Sequence, residues 1–338
     1  MKVPKATRLP SGAWNVRVMV DGKSVSITKP TEKEAIAAAM QIKARKEDGR
    51  KHTPKTVSQA IDDYISAREN VLSPSTIRGY RIIQRTRFLP YSGKRIGEMT
   101  ADGWQRAVNS ESKLCSAKTL RNAWLFLSSV ITNATGQKVS VRLPQVIQND
   151  LPFLTAEQVP VFLDAIKGTP CEITALLALS SLRKSEILAL RWEDIDLERG
   201  CIYVRGAAVQ NEDGVIVRKK ETKNTTSRRT IPFLLPQLRD AVIAADKSAD
   251  LVASWTFNTA CRQINRACQE AGLPSIGLHG LRRSFASLAY HIGMSEEVAM
   301  KTGGWADIYT MRKIYTKVSE ADIAKQGKEY ESFFSNLQ

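Results

Sequence analysis

The chain has 338 residues, more than one average domain, which indicates two or three folding units. It carries 50 Lys and Arg residues against 34 Asp and Glu, so its net charge is +16 at pH 7. This charge favours a polyanionic partner, either nucleic acid or an anionic membrane surface, although a merely basic protein is the simpler alternative. The hydrophobic fraction of 43% is that of an ordinary globular protein.

Smaller features argue against secretion, membrane insertion and metal binding. The longest apolar stretch, residues 175–179, is far too short to span a bilayer. The N-terminus lacks the apolar segment of a secretory signal. The five Cys show neither a C-x-x-C pair nor disulfide-like spacing, and three His give little material for a zinc site. We therefore expect a reduced, cytoplasmic protein that associates with DNA and uses no metal or other cofactor.

The first 55 residues hold thirteen Lys and Arg against five Asp and Glu, half of the total net charge. Residues 13–20 alternate between apolar and polar, Asp21-Gly22 is a strong hairpin turn signal, and residues 23–27 follow as a second strand. Two basic residues of this hairpin, Arg17 and Lys23, are candidates for DNA contact.

A helix follows the hairpin. Thr31-Glu-Lys-Glu34 has the pattern of a capping box and opens an Ala-rich helix that reaches about Lys46. The prediction for residues 1–50 is a domain in which a small sheet packs on one helix. A solvated basic unit without a specific ligand is the alternative.

Residues 56–138 have the apolar spacing of helices. The first helix covers about 57–65, the second begins at Ser73-Pro74, the third surrounds Trp104, and the fourth runs from Ser116 to Ile131. Basic residues on these helices usually face solvent, but they are also candidates for DNA contact: Arg78, Arg81, Arg85, Lys118 and Arg121. Residues 135–153, with Gly136, Pro144 and Pro152, are predicted to form the linker to the next domain.

The remaining residues, 151–338, predict a mixed α+β domain. Thr155–Gln158 is another capping box, and a long pair of helices is expected up to Trp192. Residues 201–204 and 214–217 are expected to pair as a hairpin, residues 229–232 to form a third short strand, and helices to carry the rest.

Two arginines in this domain suggest phosphodiester chemistry. Attack on phosphorus concentrates negative charge on the non-bridging oxygens, and guanidinium groups stabilise that charge through paired hydrogen bonds. Arg183 and Arg282 are the predicted pair, and Glu186, three residues after Arg183 on a helix, would orient it. An ordinary surface Arg–Glu pair is the alternative for the first of these arginines.

His279 precedes Arg282 by three residues at the start of a helix, so the two side chains are expected on one face. An imidazole there is suited to proton transfer. Lys223 lies in a turn between strands, from which an ammonium group can protonate a leaving oxygen, although a solvated turn lysine is the alternative. Tyr315, in Lys-Ile-Tyr-Thr-Lys-Val, is the candidate nucleophile, and Tyr309 is its nearest rival.

Three segments resemble the sequence boxes of the tyrosine recombinase (phage integrase) family: Leu182–Asp196, His279–Leu288 and Thr302–Val318. The resemblance implies that Tyr315 attacks phosphorus and leaves a 3′-phosphotyrosyl enzyme, that Lys223 is the general acid for the 5′ oxygen, and that Trp305 takes the place of a second His. The sequence departs from the common pattern at Ser180-Ser181 (Thr-Gly), Gly280 (Asp) and Gly303 (Leu). These departures bear on packing and rate, since none removes a catalytic group.

The same resemblance implies an N-terminal arm-type DNA-binding domain, a helical core-binding domain and a catalytic domain, with Arg228 as a further DNA contact. It implies a homotetramer on double-stranded DNA with core and arm-type sites, on the nucleoid of a bacterial host, with a host DNA-bending protein and an excision factor as additional partners. The expected function is site-specific integration and excision of a prophage or mobile element through a Holliday junction. A chromosome-dimer resolvase, a type IB topoisomerase and a non-catalytic DNA-binding regulator are the alternatives.

Overall fold

The computed structural model describes seven ranges of the chain: residues 5–20, 23–47, 53–147, 151–219, 228–253, 256–315 and 320–335. The chain divides into two compact units, Met1–Ile147 and Gln148–Gln338. Both are mainly helical with small antiparallel sheets, as predicted. No helix in the seven described ranges is long and apolar enough to cross a membrane.

The first unit begins with a three-stranded antiparallel sheet and one helix. Its elements are β1 (Thr7–Arg8), β2 (Trp14–Val20), β3 (Lys23–Lys29) and α1 (Glu32–Glu47). The register pairs Val20 with Lys23, as the predicted hairpin requires, and the turn residues Asp21-Gly22 lie outside the described residues. Val16 and Val18 are buried with Ala35 and Ala39 of α1. The sequence did not predict β1, because two residues are too few for an alternating pattern.

Four helices follow, as predicted: α2 (Val57–Ser66), α3 (Pro74–Thr86), α4 (Ala101–Glu111) and α5 (Ala117–Thr135). Three of them begin at a hydroxyl side chain that accepts a hydrogen bond from the first turn: Thr56, Thr100 and Ser116. Trp104 and Leu120 are fully buried in the common core. Burial of apolar surface on this scale is the main source of the bundle's stability.

The segment after α5 is more ordered than the predicted linker. Val139, Val141 and Leu143 pack against the helical core. The Gln105 side chain accepts a hydrogen bond from the backbone N–H of Arg142 at 2.7 Å and donates one to its carbonyl at 3.1 Å. The first part of the predicted linker therefore belongs to the helical unit. The sequence did not predict this, because an extended stretch without regular pairing has no periodic pattern.

The second unit contains nine helices and five strands among its described residues: α6 (Gln158–Ile166), α7 (Glu172–Leu179), α8 (Lys184–Ile187), β4 (Ile195–Asp196), β5 (Cys201–Val204), β6 (Ala207–Gln210), β7 (Ile216–Lys219), β8 (Arg229–Pro232), α9 (Pro236–Ala244), α10 (Phe257–Glu270), α11 (Gly277–His291), α12 (Glu296–Gly303), α13 (Ile308–Tyr315) and α14 (Glu320–Ser335). Helix α7 is buried almost throughout and packs against α9 and α11. Helix α13 packs on α11, with Met311 fully buried.

The predicted hairpin of residues 201–204 and 214–217 is wrong. Strand β5 pairs with β4 and β8, whereas the hairpin consists of β6 and β7, which close over residues 211–215. The sequence missed β6 because Ala-Ala-Val-Gln has a single β-branched residue and little β propensity. The third predicted strand, β8, is confirmed.

The predicted long helical pair is also wrong in its length. Helix α7 stops at Leu179, and α8 is only four residues long. The helical path is interrupted at Ser181, whose φ of 78° lies in the left-handed region that favours glycine. Helix α6 begins at Gln158, two residues later than a cap at Thr155 predicts, and the bond that forms runs from the Thr155 N–H to the Gln158 side chain at 3.0 Å.

Candidate active site

The break between α7 and α8 places Arg183 at the first position before α8 instead of inside a helix. Its backbone N–H donates to Oε2 of Glu186 at 2.8 Å, and its Nη1 donates to Oε1 of the same carboxylate at 2.8 Å. The predicted contact between these two side chains is therefore present. Because the carboxylate holds both the backbone and the side chain, it fixes the direction in which the guanidinium leaves the helix.

Glu186 is shared with a second arginine that the sequence reasoning did not select as a site residue. Nη1 and Nη2 of Arg229 donate to Oε1 and Oε2 of Glu186 at 3.0 and 2.9 Å. Burial raises the pKa of the Glu186 carboxyl, but the hydrogen bonds and charges of Arg229 and Arg183 together hold it below its usual value. Glu186 is thus a buried anion, and the only signal of its second partner was an arginine at the start of a short strand.

Three arginine side chains form hydrogen bonds with the C-terminal end of α12. The carbonyls of Thr302, Gly303 and Gly304 accept hydrogen bonds from Arg229, Arg282 and Arg183 respectively, one from each. The last carbonyls of a helix lack partners within the helix and form the negative end of its dipole. The helix end therefore binds three guanidinium groups that come from separate segments of the chain.

Arg282 is the most buried of the three, with 4% of the residue exposed. Besides Gly303, it donates to the carbonyl of Ser181, and its guanidinium lies 4.3 Å from the ring centroid of Trp305. Burial lowers its pKa to about 9, and the charge of Arg183 adds to this effect. The lowered pKa means that the surrounding protein does not fully compensate the positive charge of Arg282, so a bound anion would stabilise the charged form.

Two of the departures from the common family pattern have a steric explanation. A Cβ on Gly303 would lie 1.9 Å from the ring of Trp305, so glycine leaves the space that this indole occupies. A Cβ on Gly280 would lie 2.5 Å from the Cβ of Ile276, which excludes a larger residue in the first turn of α11. The ring of Trp305 also stacks on Phe285, with 6.2 Å between centroids.

His279 lies in the first turn of α11, one turn before Arg282, as predicted. Its side chain is exposed. Partial desolvation by the surrounding protein lowers the pKa of the imidazole, and the positive charges of Arg283, Arg282 and Arg183 lower it further. The imidazole is therefore neutral at pH 7 in the free protein, which is the form that accepts a proton.

The two remaining predicted catalytic groups are only partly described. Tyr315 is the last residue of α13, and the contact with α11 sets the position of this helix. The side chain of Tyr315 is not among the described parts of the chain. Lys223 lies outside the described residues, between β7 and β8 in the chain. Strand β7 is held near the site because Arg218 donates to the carbonyl of Ala189, just after α8, at 2.8 Å.

The candidate DNA contacts differ in their surroundings. Arg17, Arg85, Lys118, Arg121 and Arg228 are exposed, Arg78 is half-buried, and the side chain of Lys23 is not described. Arg81 is half-buried and forms an ion pair with Asp62 and a hydrogen bond with Gln84 at 2.9 Å. In the part of the chain that is described, no three His, Cys, Asp or Glu side chains are placed to hold a metal ion.

Comparison with known proteins identifies the family. The family model described as "Phage integrase family" matches residues 152–322, just over half of the chain. The chain belongs to the phage integrase family. As a member of this family it is a site-specific tyrosine recombinase, an enzyme that cleaves and rejoins DNA through a tyrosine nucleophile.

The matches to individual relatives cover most of the chain. Tyrosine recombinase XerD of Neisseria meningitidis serogroup B is 25% identical over 283 residues, with 77% of this chain and 93% of XerD covered. The Tn1549 transposon integrase has a similar fold, with a TM-score of 0.61 at 19% identity over 81% of this chain and 99% of that one. A lambda integrase tetramer bound to a Holliday junction gives a TM-score of 0.56 at 19% identity, over 94% of this chain and 97% of that one.

Proposed function

We propose that this recombinase integrates and excises a prophage or other mobile element, through a 3′-phosphotyrosyl intermediate and a Holliday junction. The observation that carries the proposal is the convergence of Arg183, Arg229 and Arg282 on one helix end with a single buried carboxylate. Three positive charges against one leave a net charge of +2 where a phosphodiester would bind. Pre-positioned cations of this kind stabilise the charge that develops during attack on phosphorus.

Each predicted catalytic residue has a role in this proposal. Tyr315 attacks phosphorus and displaces the 5′ oxygen, while neutral His279 accepts the proton of the tyrosine. Arg183 and Arg282 bind the non-bridging oxygens. Lys223 donates a proton to the leaving 5′ oxygen. Trp305 holds the guanidinium of Arg282 by stacking, and its indole N–H can donate one hydrogen bond to the phosphate.

The proposed domains are an arm-type DNA-binding domain (1–50), a core-binding domain (56–138) and a catalytic domain (151–338). Arg17 supports the first assignment, because it is exposed on the face of β2 opposite the buried Val16 and Val18. Three exposed basic residues support the second: Arg85, Lys118 and Arg121. The fold match to lambda integrase covers 94% of this chain and so extends into the N-terminal residues, which favours an integrase with an additional N-terminal domain.

The proposed assembly is a homotetramer on two double-stranded DNA sites, in the cytoplasm of a bacterial host and on its nucleoid. A host DNA-bending protein and an excision factor complete the proposed set of partners. A chromosome-dimer resolvase is the second candidate, because the XerD relative is similar over most of its own length. A non-catalytic regulator is disfavoured, since the sequence retains Arg183, Lys223, His279, Arg282 and Tyr315.

The test is a trapping experiment on DNA that joins the two ends of the element. The wild-type protein is incubated with this DNA, adducts are trapped by denaturation, and the peptide that carries the nucleotide is identified. We expect an adduct at Tyr315, recombinant product with the wild type, and neither with Tyr315→Phe. An adduct on Tyr309 would refute the assignment of the nucleophile, and an adduct with relaxed but unrecombined DNA would indicate a topoisomerase.

Removal of residues 1–50 distinguishes the two candidate functions. For an integrase, the truncated protein should still cleave an isolated core site, but recombination of a substrate that needs distal arm sites should be lost. A gel assay for both products on the same DNA measures the two activities together. Unchanged recombination by the truncated protein would favour the chromosome-dimer resolvase.

A further inference from the structure

Arg229 is a buried guanidinium to which the proposed chemistry assigns no contact with the phosphate. Its side chain is 7% exposed. Nη1 and Nη2 donate to the two oxygens of Glu186, and Nε donates to the carbonyl of Thr302 at 2.8 Å. All three nitrogens are therefore engaged inside the protein.

Glu186 makes more side-chain contacts with Arg229 than with Arg183. Arg229 contacts both carboxylate oxygens in the paired geometry that makes Arg–carboxylate contacts strong. Arg183 uses one side-chain nitrogen on one oxygen, and its side chain is 34% exposed, against 2% for Glu186. Arg183 is thus the most exposed of the three arginines, and a phosphate can reach it from solvent.

Removal of Arg229 would change the ion pairs of Glu186. A buried carboxylate without Arg229 would have Arg183 as its remaining side-chain ion pair among the described residues. It would then neutralise Arg183 and compete with a phosphate for the same guanidinium. We propose that Arg229 is a positioning residue that neutralises Glu186, so that the charge of Arg183 remains available to the DNA phosphate. This inference rests on the proposed function of Arg183.

A second contact gives Arg229 influence over the same guanidinium. A Cβ on Gly304 would lie 2.9 Å from Nη1 of Arg229, so the arginine packs directly on this peptide. The carbonyl of Gly304 accepts the hydrogen bond from Nη2 of Arg183. Arg229 therefore supports both protein groups that hold Arg183, the carboxylate of Glu186 and the carbonyl of Gly304.

The test compares the two members of the ion pair, Arg229→Gln and Glu186→Gln, alone and combined. The readout is single-turnover cleavage of nicked DNA from the joined element ends, normalised to folded protein. We expect Arg229→Gln to lower the rate by about 10²- to 10³-fold, the usual cost of losing one charge-stabilising donor. Glu186→Gln leaves Arg183 fully charged, so its loss should be about tenfold smaller. The double variant should recover at least about tenfold over Arg229→Gln.

A purely structural ion pair gives a different pattern. Either single change breaks the same pair, and Glu186→Gln also weakens both contacts to Arg183, so it should be at least as damaging as Arg229→Gln. That result would overturn the inference, and so would a double variant no faster than Arg229→Gln. Arg229→Lys keeps the charge that neutralises Glu186 but not the paired contact, so its rate should lie between those of the wild type and the double variant. If Arg229→Gln does not fold, a rate of the lysine variant below that of the double variant would overturn the inference.

Two controls separate this inference from the proposed function. Arg266→Gln removes one positive charge from an exposed ion pair on α10 and should cleave at the wild-type rate. Wild-type protein and Tyr315→Phe are run beside every variant. A wild type that forms no adduct would refute the proposed function itself, whereas an active wild type with equal losses in the two single variants would refute only the role of Arg229.

Discussion

Each of the two units buries a glutamate beside an arginine, but the two carboxylates do different work. In the helical unit, Glu111 accepts hydrogen bonds from the backbone N–H of Phe88 at 3.0 Å and from Nη1 of Arg87 at 3.2 Å. In the second unit, Glu186 is contacted by Arg183 and Arg229. Charge balances in the first case, whereas the second leaves an excess of positive charge.

The surroundings of the two carboxylates explain this difference. Phe88, beside Glu111, has a left-handed φ of 54°, and the carboxylate holds the sharp turn that follows α3. The cluster around Glu186 instead ends in Arg282, whose pKa burial lowers to about 9. A buried ion pair is therefore a sign of function here only where cations outnumber anions, because an uncompensated buried charge is costly unless a ligand binds it.

The largest expected difference between the units concerns catalysis. Arg183→Ala or Arg282→Ala should reduce single-turnover cleavage by about 10³-fold or more, because each removes a donor to the phosphate. DNA affinity should fall little, since most of it comes from contacts along the backbone. Cleavage and filter-binding assays on the same preparation measure both. Glu111→Ala is the control and should leave cleavage per folded molecule unchanged; rapid cleavage by either arginine variant would reject the assignment.

The second prediction concerns stability in the helical unit. Glu111→Ala removes the partner of a half-buried guanidinium and of a buried N–H, and should cost about 2 kcal/mol of unfolding free energy. Urea titration followed by circular dichroism measures this change. Replacement of the exposed partner in a surface pair, Glu98→Ala, should cost less than about 1 kcal/mol. Equal costs for the two variants would show that burial of Glu111 is unimportant.

The sequence predicted the local features of the site better than its long-range contacts. The start of α11, with His279 and Arg282 one turn apart, follows from local spacing, and so does the contact between Arg183 and Glu186. The partner of β5 and the role of Arg229 were missed. Both depend on segments that are distant in the chain, and four-residue strands carry no signal of which strand they pair with.

Gly303 gives a third prediction, smaller in size. Gly303→Ala places a methyl group within the Trp305 ring, so the indole must move away from Arg282. Cleavage should fall by about 10- to 100-fold through misplacement of that guanidinium. Gly79→Ala, in α3 of the helical unit, is the matched control: nothing lies within 4 Å of the added Cβ, and stability should rise by about 0.5–1 kcal/mol. Wild-type cleavage by Gly303→Ala would exclude a role for the stack.

His279 should show the charge excess directly through its pKa. In the free protein its pKa lies below the ordinary value of 6.5, because it is partly desolvated and faces Arg283, Arg282 and Arg183. Inorganic phosphate bound in the cluster should raise this pKa, since it neutralises those charges. Proton NMR can follow the titration, because the chain has only three His. A pKa at or above 6.5 in the free protein would contradict the uncompensated charge.

The smallest expected effect concerns Ser181 and Phe88, the two residues other than glycine that have a left-handed φ in the described part of the chain. Ser181→Gly relieves about 1 kcal/mol of backbone strain, but loses the hydroxyl bond to the Thr302 carbonyl and makes the unfolded chain more flexible. These effects nearly cancel, so the unfolding free energy should change by less than about 1 kcal/mol. Phe88→Gly relieves similar strain but empties a buried site, and should destabilise by about 3 kcal/mol or more. Chemical denaturation of both variants tests the contrast. A loss above about 2 kcal/mol for Ser181→Gly would mean that the hydroxyl bond to α12, and not the backbone conformation, holds the break before Arg183.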